Sequence, residues 1–214
     1  MISPAPTNFA AQLAQATSAL HVQAERGGVI ADLLRGRGTI VSYAGLMRNL
    51  LPAYRALEAG LEQHRASPLL ARFVRPEVYR AAAIEADLIT LGVPDQPLLP
   101  EAVAYEAAVR QAAESDGALL VAHAYTRTLG DLSGGQILRN LLGRSLGDVA
   151  AHLAFHDFPA IADIAAFKAQ YRADLEIFGT AVADIQPVLN EAVLAFGHNI
   201  AVSNAVAAQF VVSA

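Results

Sequence analysis

The chain has 214 residues, 54% of them hydrophobic and only 16% charged, which is enough apolar material for one good-sized core. It contains no cysteine, which excludes disulfides, iron–sulfur clusters, cysteine zinc sites and any thiolate metal ligand. A net charge of −5 argues against a nucleic-acid partner.

Alanine and leucine dominate and β-branched runs are short, so the expected fold is all-α. Residues 1–7, with Pro4 and Pro6, are expected to be a flexible N-terminus ahead of one domain over 8–214. The opening MISPAPTNFAAQLAQ lacks the basic and apolar regions of a signal peptide, so a cytoplasmic protein is expected. The first helix is expected from Asn8 to Arg26, ended by Gly27 and Gly28. It carries His21 and Glu25, four apart and therefore side by side. Read alone, such a pair is either a surface contact or a ligand with its orienting partner.

A short helix is expected over Val29–Arg35, a turn at GRG, and a longer helix from Thr39 or Ser42 to Leu61. Pro52 lies inside it and should kink it or start a new segment. Tyr54 follows, read alone as an ordinary core tyrosine. Further helices are expected over Arg80–Leu91 and Glu101–Ser115, separated by a proline-rich loop.

The stretch Leu119–Leu142, LLVAHAYTRTLGDLSGGQILRNLL, reads as one long helix that should not be stable. Apolar residues recur at helical spacing, yet Gly130, Gly134 and Gly135 interrupt it. Each glycine costs roughly 1 kcal/mol against alanine, so three cost about 3 kcal/mol. Gly130 and Gly134 are four apart and would share a face of bare backbone, with Asp131 beside them. Either a neighbouring helix packs there, or SGG is a loop between two helices, which the apolar period resuming in phase after Gly135 disfavours, or something flat and bulky approaches the backbone of a kinked helix. Gly143 and Gly147 should mark the following loop.

In the later segment FHDFPAIADIAAFKAQYR, Lys168, the chain's single lysine, stands four residues before Arg172 on one helical face. The last helix is expected over Gln186–Val212. The run Ala192–Ala214 is uncharged and long enough to span a bilayer at about 1.5 Å per residue. His198, Asn199, Ser203, Asn204 and Gln209 interrupt it, so it reads as a buried core helix, with no membrane anchor expected.

The run HAYTRTLGDLSGGQ, His123 to Gln136, closely resembles the distal helix of haem oxygenases. SALHVQAE resembles the segment of that family that carries the proximal histidine, AAIEADL another family run, and FHDFPAIADIAAFKAQYR its FP-containing loop and following helix. The resemblance covers roughly Leu13 to Gln209. It implies a haem-oxygenase-like helical bundle with heme b, both substrate and cofactor, held between the two segments. His21 would be the axial iron ligand and Glu25 its orienting partner. Gly130, Ser133, Gly134 and Gly135 would lie against the other haem face. Asp131 would hold a proton-delivering water network, supported by Tyr54, Tyr125 and Arg127. Lys168 and Arg172 would bind the propionates, and Phe196 and Asn199 would line the pocket.

The implied reaction uses O2 and electrons from an external reductase or ferredoxin. It yields biliverdin, with the IXα isomer favoured, carbon monoxide and ferrous iron. The product would suit iron acquisition or a bilin-using photoreceptor downstream. One departure stands out: Ala14 occupies the place, seven residues before His21, where the family often has a basic residue. The alternative is a non-catalytic haem carrier or sensor on the same fold, which would need the histidine and an apolar slot but no buried carboxylate. A thiaminase-type enzyme is excluded by the lack of cysteine, and a di-iron bundle by the lack of any Glu-x-x-His pair.

Overall fold

In the computed structural model, described here for residues 8–211, the described residues form nine α-helices and no strand. They are α1 (Phe9–Arg26), α2 (Gly28–Leu34), α3 (Ile40–Gln63), α4 (Ala81–Leu91), α5 (Pro100–Ala112), α6 (Leu120–Asp131), α7 (Gly134–Leu146), α8 (Ile164–Ala181) and α9 (Gln186–Val211). The expectation for residues 1–7 lies outside the described residues.

Local signals set the helix starts. The Asn8 side chain accepts from the Ala11 N–H at 2.9 Å, satisfying one of the free donors at the start of α1. Glu176 of α8 takes the Phe9 and Ala10 N–H groups at 2.9 and 3.0 Å, tying the start of α1 to α8. Thr39 and Ser42 form a reciprocal capping box at the start of α3. Pro52 lies inside α3 without ending it; the helix runs on to Gln63.

α3 and α9 are the central helices. α3 packs on α4, α5 and α9, while α9 packs on α1, α2, α5 and α6. The α1–α2 turn approaches α9 closely at Gly28, whose φ is +62°. A Cβ there would stand 2.4 Å from Ser203 Oγ, so both the conformation and the space demand glycine. Among the described residues no helix is long and apolar enough to cross a membrane. Instead, Ala192, Ala195, Val202 and Val206 of α9 are buried in the protein.

Two expectations are corrected. The stretch Leu119–Leu142 is not one kinked helix: it breaks at Leu132–Ser133 into α6 and α7. The last turn of α6 tightens, with Ser133 N–H donating to Gly130 O at 3.2 Å, and Ser133 adopts φ −124°, ψ −84°. The glycines lower the helical preference enough for the chain to turn there. Gly143, expected in a loop, lies within α7, because Leu138, Leu142 and Leu146 bury one face at four-residue spacing through it. Gly147, at φ +65°, ends that helix.

Candidate functional site

A cavity of about 570 Å³ lies among α1, α2, α3, α6, α7, α8 and α9. α1 supplies Ala10, Ala14 and Ala24, so its wall is made of small side chains apart from His21 and Glu25. Tyr125, Thr126, Leu129 and Gly130 of α6, with Ser133, Gly134 and Gly135, form another wall. Leu46, Met47 and Leu50 of α3 and Ile30 and Leu34 of α2 make the interior apolar.

His21 is exposed to this space: its side chain is 58% accessible and that of Glu25 56%. Nδ1 of His21 lies 3.4 Å from Glu25 Oε1. The His21 ring stands 6.0 Å, centroid to centroid, from that of Phe196, which lines the cavity with Asn199. The Nε2 edge has no hydrogen bond among the described residues, which is what a ring needs to bind a metal-bearing ligand while Nδ1 is held.

The glycines decide between the two readings of their motif. A Cβ built on Gly130 or on Gly134 would meet nothing within 4 Å. Neither glycine therefore serves a helix–helix contact, and both line the cavity. The bare backbone opens space for something else.

Beside Gly130, Asp131 is 9% exposed. The Tyr54 hydroxyl donates to its Oδ2 at 2.7 Å, and Arg127 Nη1 donates to the Tyr54 oxygen at 3.4 Å. Burial raises the Asp131 pKa, opposed by the Arg127 charge, the Tyr54 hydrogen bond and Arg80. Burial is also the main reason the Tyr54 pKa stands well above its ordinary value, so this hydroxyl remains a donor. The chain Arg127–Tyr54–Asp131 thus holds a buried carboxyl at the cavity wall, its Oδ1 free of protein hydrogen bonds among the described residues.

Most predicted site residues meet at this cavity: His21, Glu25, Tyr125, Arg127, Gly130, Asp131, Ser133, Gly134, Gly135, Arg172, Phe196 and Asn199 all line it. Tyr54 reaches it through Asp131. Lys168 is not among the lining residues; its Nζ lies 3.4 Å from Leu132 O, at the end of α6. Ala14, the departure from the family pattern, does line the cavity, so the expected cation is missing from the wall itself.

Sequence reasoning missed Phe155 and His156, which also line the cavity. Asp87 fixes their segment by accepting from the Ala154 and Phe155 N–H groups at 2.6 and 3.0 Å, and Arg80 donates to Asp157 O. The available signal was a histidine in the aromatic run FHDF.

The comparisons agree with this geometry. A family model described as Heme oxygenase matches residues 7–205. "Heme oxygenase 1" of Pongo abelii is 37% identical over 202 residues, covering 91% of this chain and 70% of that protein. "Heme oxygenase 1" of Nostoc sp. is 35% identical over 199 residues, covering 90% of this chain and 83% of the relative. Heme oxygenase-1 from Synechocystis sp. in complex with heme superposes with a TM-score of 0.84 at 32% identity, covering 96% of this chain and 95% of that one. The heme oxygenase structure from Leptospira interrogans gives 0.83 at 30%, covering 92% and 99%. With the family match spanning nearly the whole chain, this protein belongs to the haem oxygenase family.

Proposed function

We propose that this chain degrades haem, using O2 and electrons from a reductase or ferredoxin to form biliverdin, carbon monoxide and ferrous iron. The observation that carries the reading is the Tyr54–Asp131 hydrogen bond, 2.7 Å long, at the wall of an apolar cavity that also presents His21. A carrier or sensor would need His21 and the slot. A buried carboxyl beside bare backbone would only weaken it, because burial disfavours its charge.

The residues fit the substrate. The cavity is apolar with small side chains on α1 and open backbone on α6–α7, which suits a flat macrocycle. His21 would hold the iron through its ring, with Glu25, 3.4 Å from Nδ1, steadying the imidazole. Arg172, which lines the cavity, pairs with a propionate. Lys168, whose Nζ lies 3.4 Å from Leu132 O at the end of α6, would pair with the other. Phe196 and Asn199 complete the rim.

When bound, haem supplies the redox iron that takes up dioxygen and electrons and oxidises the haem's own ring. The chain's part is positioning and proton supply. Gly130 and Gly134 let the backbone press close, which restricts where on the ring attack occurs. Asp131 gives and recovers a proton through ordered water at Oδ1, while Tyr54 holds Oδ2. Arg127 holds Tyr54 and offsets the carboxylate charge, and Tyr125 supports the water from the same wall. We place this reaction in the cytoplasm, with residues 8–214 as one catalytic domain and a bilin-using photoreceptor as one consumer of the product.

The test is direct. Hemin and a reductant are added in air and the Soret band is followed. Its replacement by a biliverdin spectrum supports the reading; a stable dioxygen complex that never turns over would establish the carrier instead.

A further inference from the structure

Behind the catalytic carboxyl lies a second polar cluster that the reaction as described does not use. Tyr43 and His156 are 0% and 3% exposed. Tyr43 Oη and both ring nitrogens of His156 are buried with no hydrogen-bond partner. Their rings are 6.4 Å apart, centroid to centroid. Buried polar groups in native proteins are nearly always satisfied, by protein or by ordered water. Three unpartnered atoms on two adjoining rings mark a place built to hold water.

The cluster connects to the cavity. His156 lines it, and so does Asp131. The space between the two is kept open by Gly135: a Cβ there would stand 3.3 Å from His156 Nδ1 and 3.8 Å from Asp131 Cβ. Gln136 ties the two together from behind, its Nε2 donating to His156 O at 2.9 Å and lying 3.5 Å from Asp131 O. The ring cannot easily swing out to solvent, because Asp87, Arg80 and Gln136 hold the backbone on both sides of it.

The chemistry suits water. Burial, then the charges of Arg139 on α7 and Arg80 before α4, lower the His156 pKa to about 4. At neutral pH the ring is therefore uncharged, with one nitrogen a donor and the other an acceptor. The remaining groups around the pair are Asp131 of α6 and Asp87 of α4, which act with burial to raise the Tyr43 pKa and keep that hydroxyl protonated. A donor and an acceptor on each of two rings can fix a water's orientation.

We propose that Tyr43 and His156 bind an ordered water beside Gly135 that extends the Asp131 proton chain away from the substrate, making both positioning residues. The water site stands on its own geometry; its role in catalysis rests on the haem-degrading reading.

Three variants test it: His156→Phe, His156→Gln and Tyr43→Phe, each close in shape to the original. Crystals of the wild type, with or without haem, should show a water within hydrogen-bond reach of Tyr43 Oη and a His156 nitrogen. In the ferric haem complex His156→Phe should shift the pH of the acid–alkaline spectral transition by about half a unit or more. It should slow biliverdin formation by about tenfold with little change in haem affinity. His156→Gln, which keeps a donor and an acceptor, should restore both readouts. The double Tyr43→Phe/His156→Phe variant should be no worse than the poorer single one, because the two share one water.

A His156→Phe protein that is more thermostable, with an unchanged spectral transition and no water in the wild-type crystal, would overturn the proposal. A wild type that produces no biliverdin would refute the haem-degrading reading alone, since crystal and spectral transition still report on the water.

Discussion

The two walls of the cavity are built to opposite standards. On α1 the candidate iron ligand is loosely held: His21 is 58% accessible, and Glu25 beside it lies 3.4 Å away and is itself 56% accessible. On α6 the candidate proton donor is over-determined: Asp131 is 9% exposed, accepts from Tyr54 at 2.7 Å and sits in the field of Arg127. The difference follows from what each group must do. A ligand gains its order from the bond it makes, whereas a proton-delivering group must be placed before anything binds. Breaking each wall in turn should therefore have different consequences.

The largest effect is expected at Asp131. Asp131→Asn keeps the shape and an oxygen for Tyr54, so haem affinity should change by less than about threefold, whereas biliverdin formation should fall by about a hundredfold or more. Single-turnover absorbance measures both. Stability supplies a second check. The Asp131 pKa is raised in the folded protein, so the folded state binds the proton more tightly than the unfolded one. Its contribution therefore falls as pH rises from the ordinary value of 3.8 through the raised one. Asp131→Asn should flatten that decline and should not lower the neutral-pH Tm. Wild-type rates in this variant would remove Asp131 from the mechanism.

The α1 wall should break more gently. His21→Ala should still admit haem, because the slot is largely apolar, but should lose its His-ligated spectrum and at least about tenfold in turnover. Because His21 is open to the cavity, added imidazole should restore part of both. Formate added to Asp131→Ala should restore nothing, because the vacated place is buried and depends on Tyr54 for its geometry. Equal rescue at both sites would erase the proposed contrast. An unchanged spectrum in His21→Ala would move the ligand assignment elsewhere.

The same contrast governs what could be read from the sequence. The α1 site is local: His21 and Glu25 share a face by helical spacing alone, and the structure places them as the spacing requires. The all-α character and most helix positions were legible for the same reason, since periodicity is a local signal. The α6–α7 wall is not local. Three glycines announced an anomaly, but whether the chain kinks or breaks depends on packing of α6 against α9 and α3, which no window of sequence contains. The partner of Asp131 lies 77 residues away on α3, and only resemblance pointed to Tyr54. His156 was passed over because a histidine among aromatics in FHDF reads as packing until the bonds of Asp87, Arg80 and Gln136 show its backbone fixed at the cavity. For Lys168 the spacing from Arg172 was plain, but its contact with the Leu132 carbonyl, outside the cavity lining, is a tertiary feature that the spacing does not contain.

The glycines give a subtler test of the α6 wall. Gly130 lies within α6, and a Cβ there meets nothing within 4 Å. Gly130→Ala should therefore raise thermal stability, by up to about 1 kcal/mol from helix propensity. Haem affinity should nevertheless fall, because the added methyl points into the space the macrocycle would fill. A glycine kept for helix packing would behave oppositely, losing stability through a clash. A rise in Tm without any change in haem binding or turnover would place the haem elsewhere in the cavity.

The smallest effect is expected at Glu25, and its smallness is the sharpest statement about the α1 wall. Both members of the His21–Glu25 pair are more than half accessible, and exposed ion pairs contribute about 0–1 kcal/mol. Their 3.4 Å separation is long for a charge-assisted hydrogen bond. Glu25→Gln retains an acceptor near Nδ1 while removing the charge. Haem affinity should thus change by no more than about fivefold, the value that 1 kcal/mol allows. The ferric haem complex is the more sensitive reporter. A carboxylate near Nδ1 makes the imidazole a stronger electron donor to iron, so its loss should raise the haem reduction potential, measurable by spectroelectrochemical titration, even where affinity hardly moves. A loss of affinity well beyond fivefold would show that Glu25 tightens onto His21 when haem binds. The α1 wall would then be as strictly organised as the α6 wall, and the contrast between the two would fail.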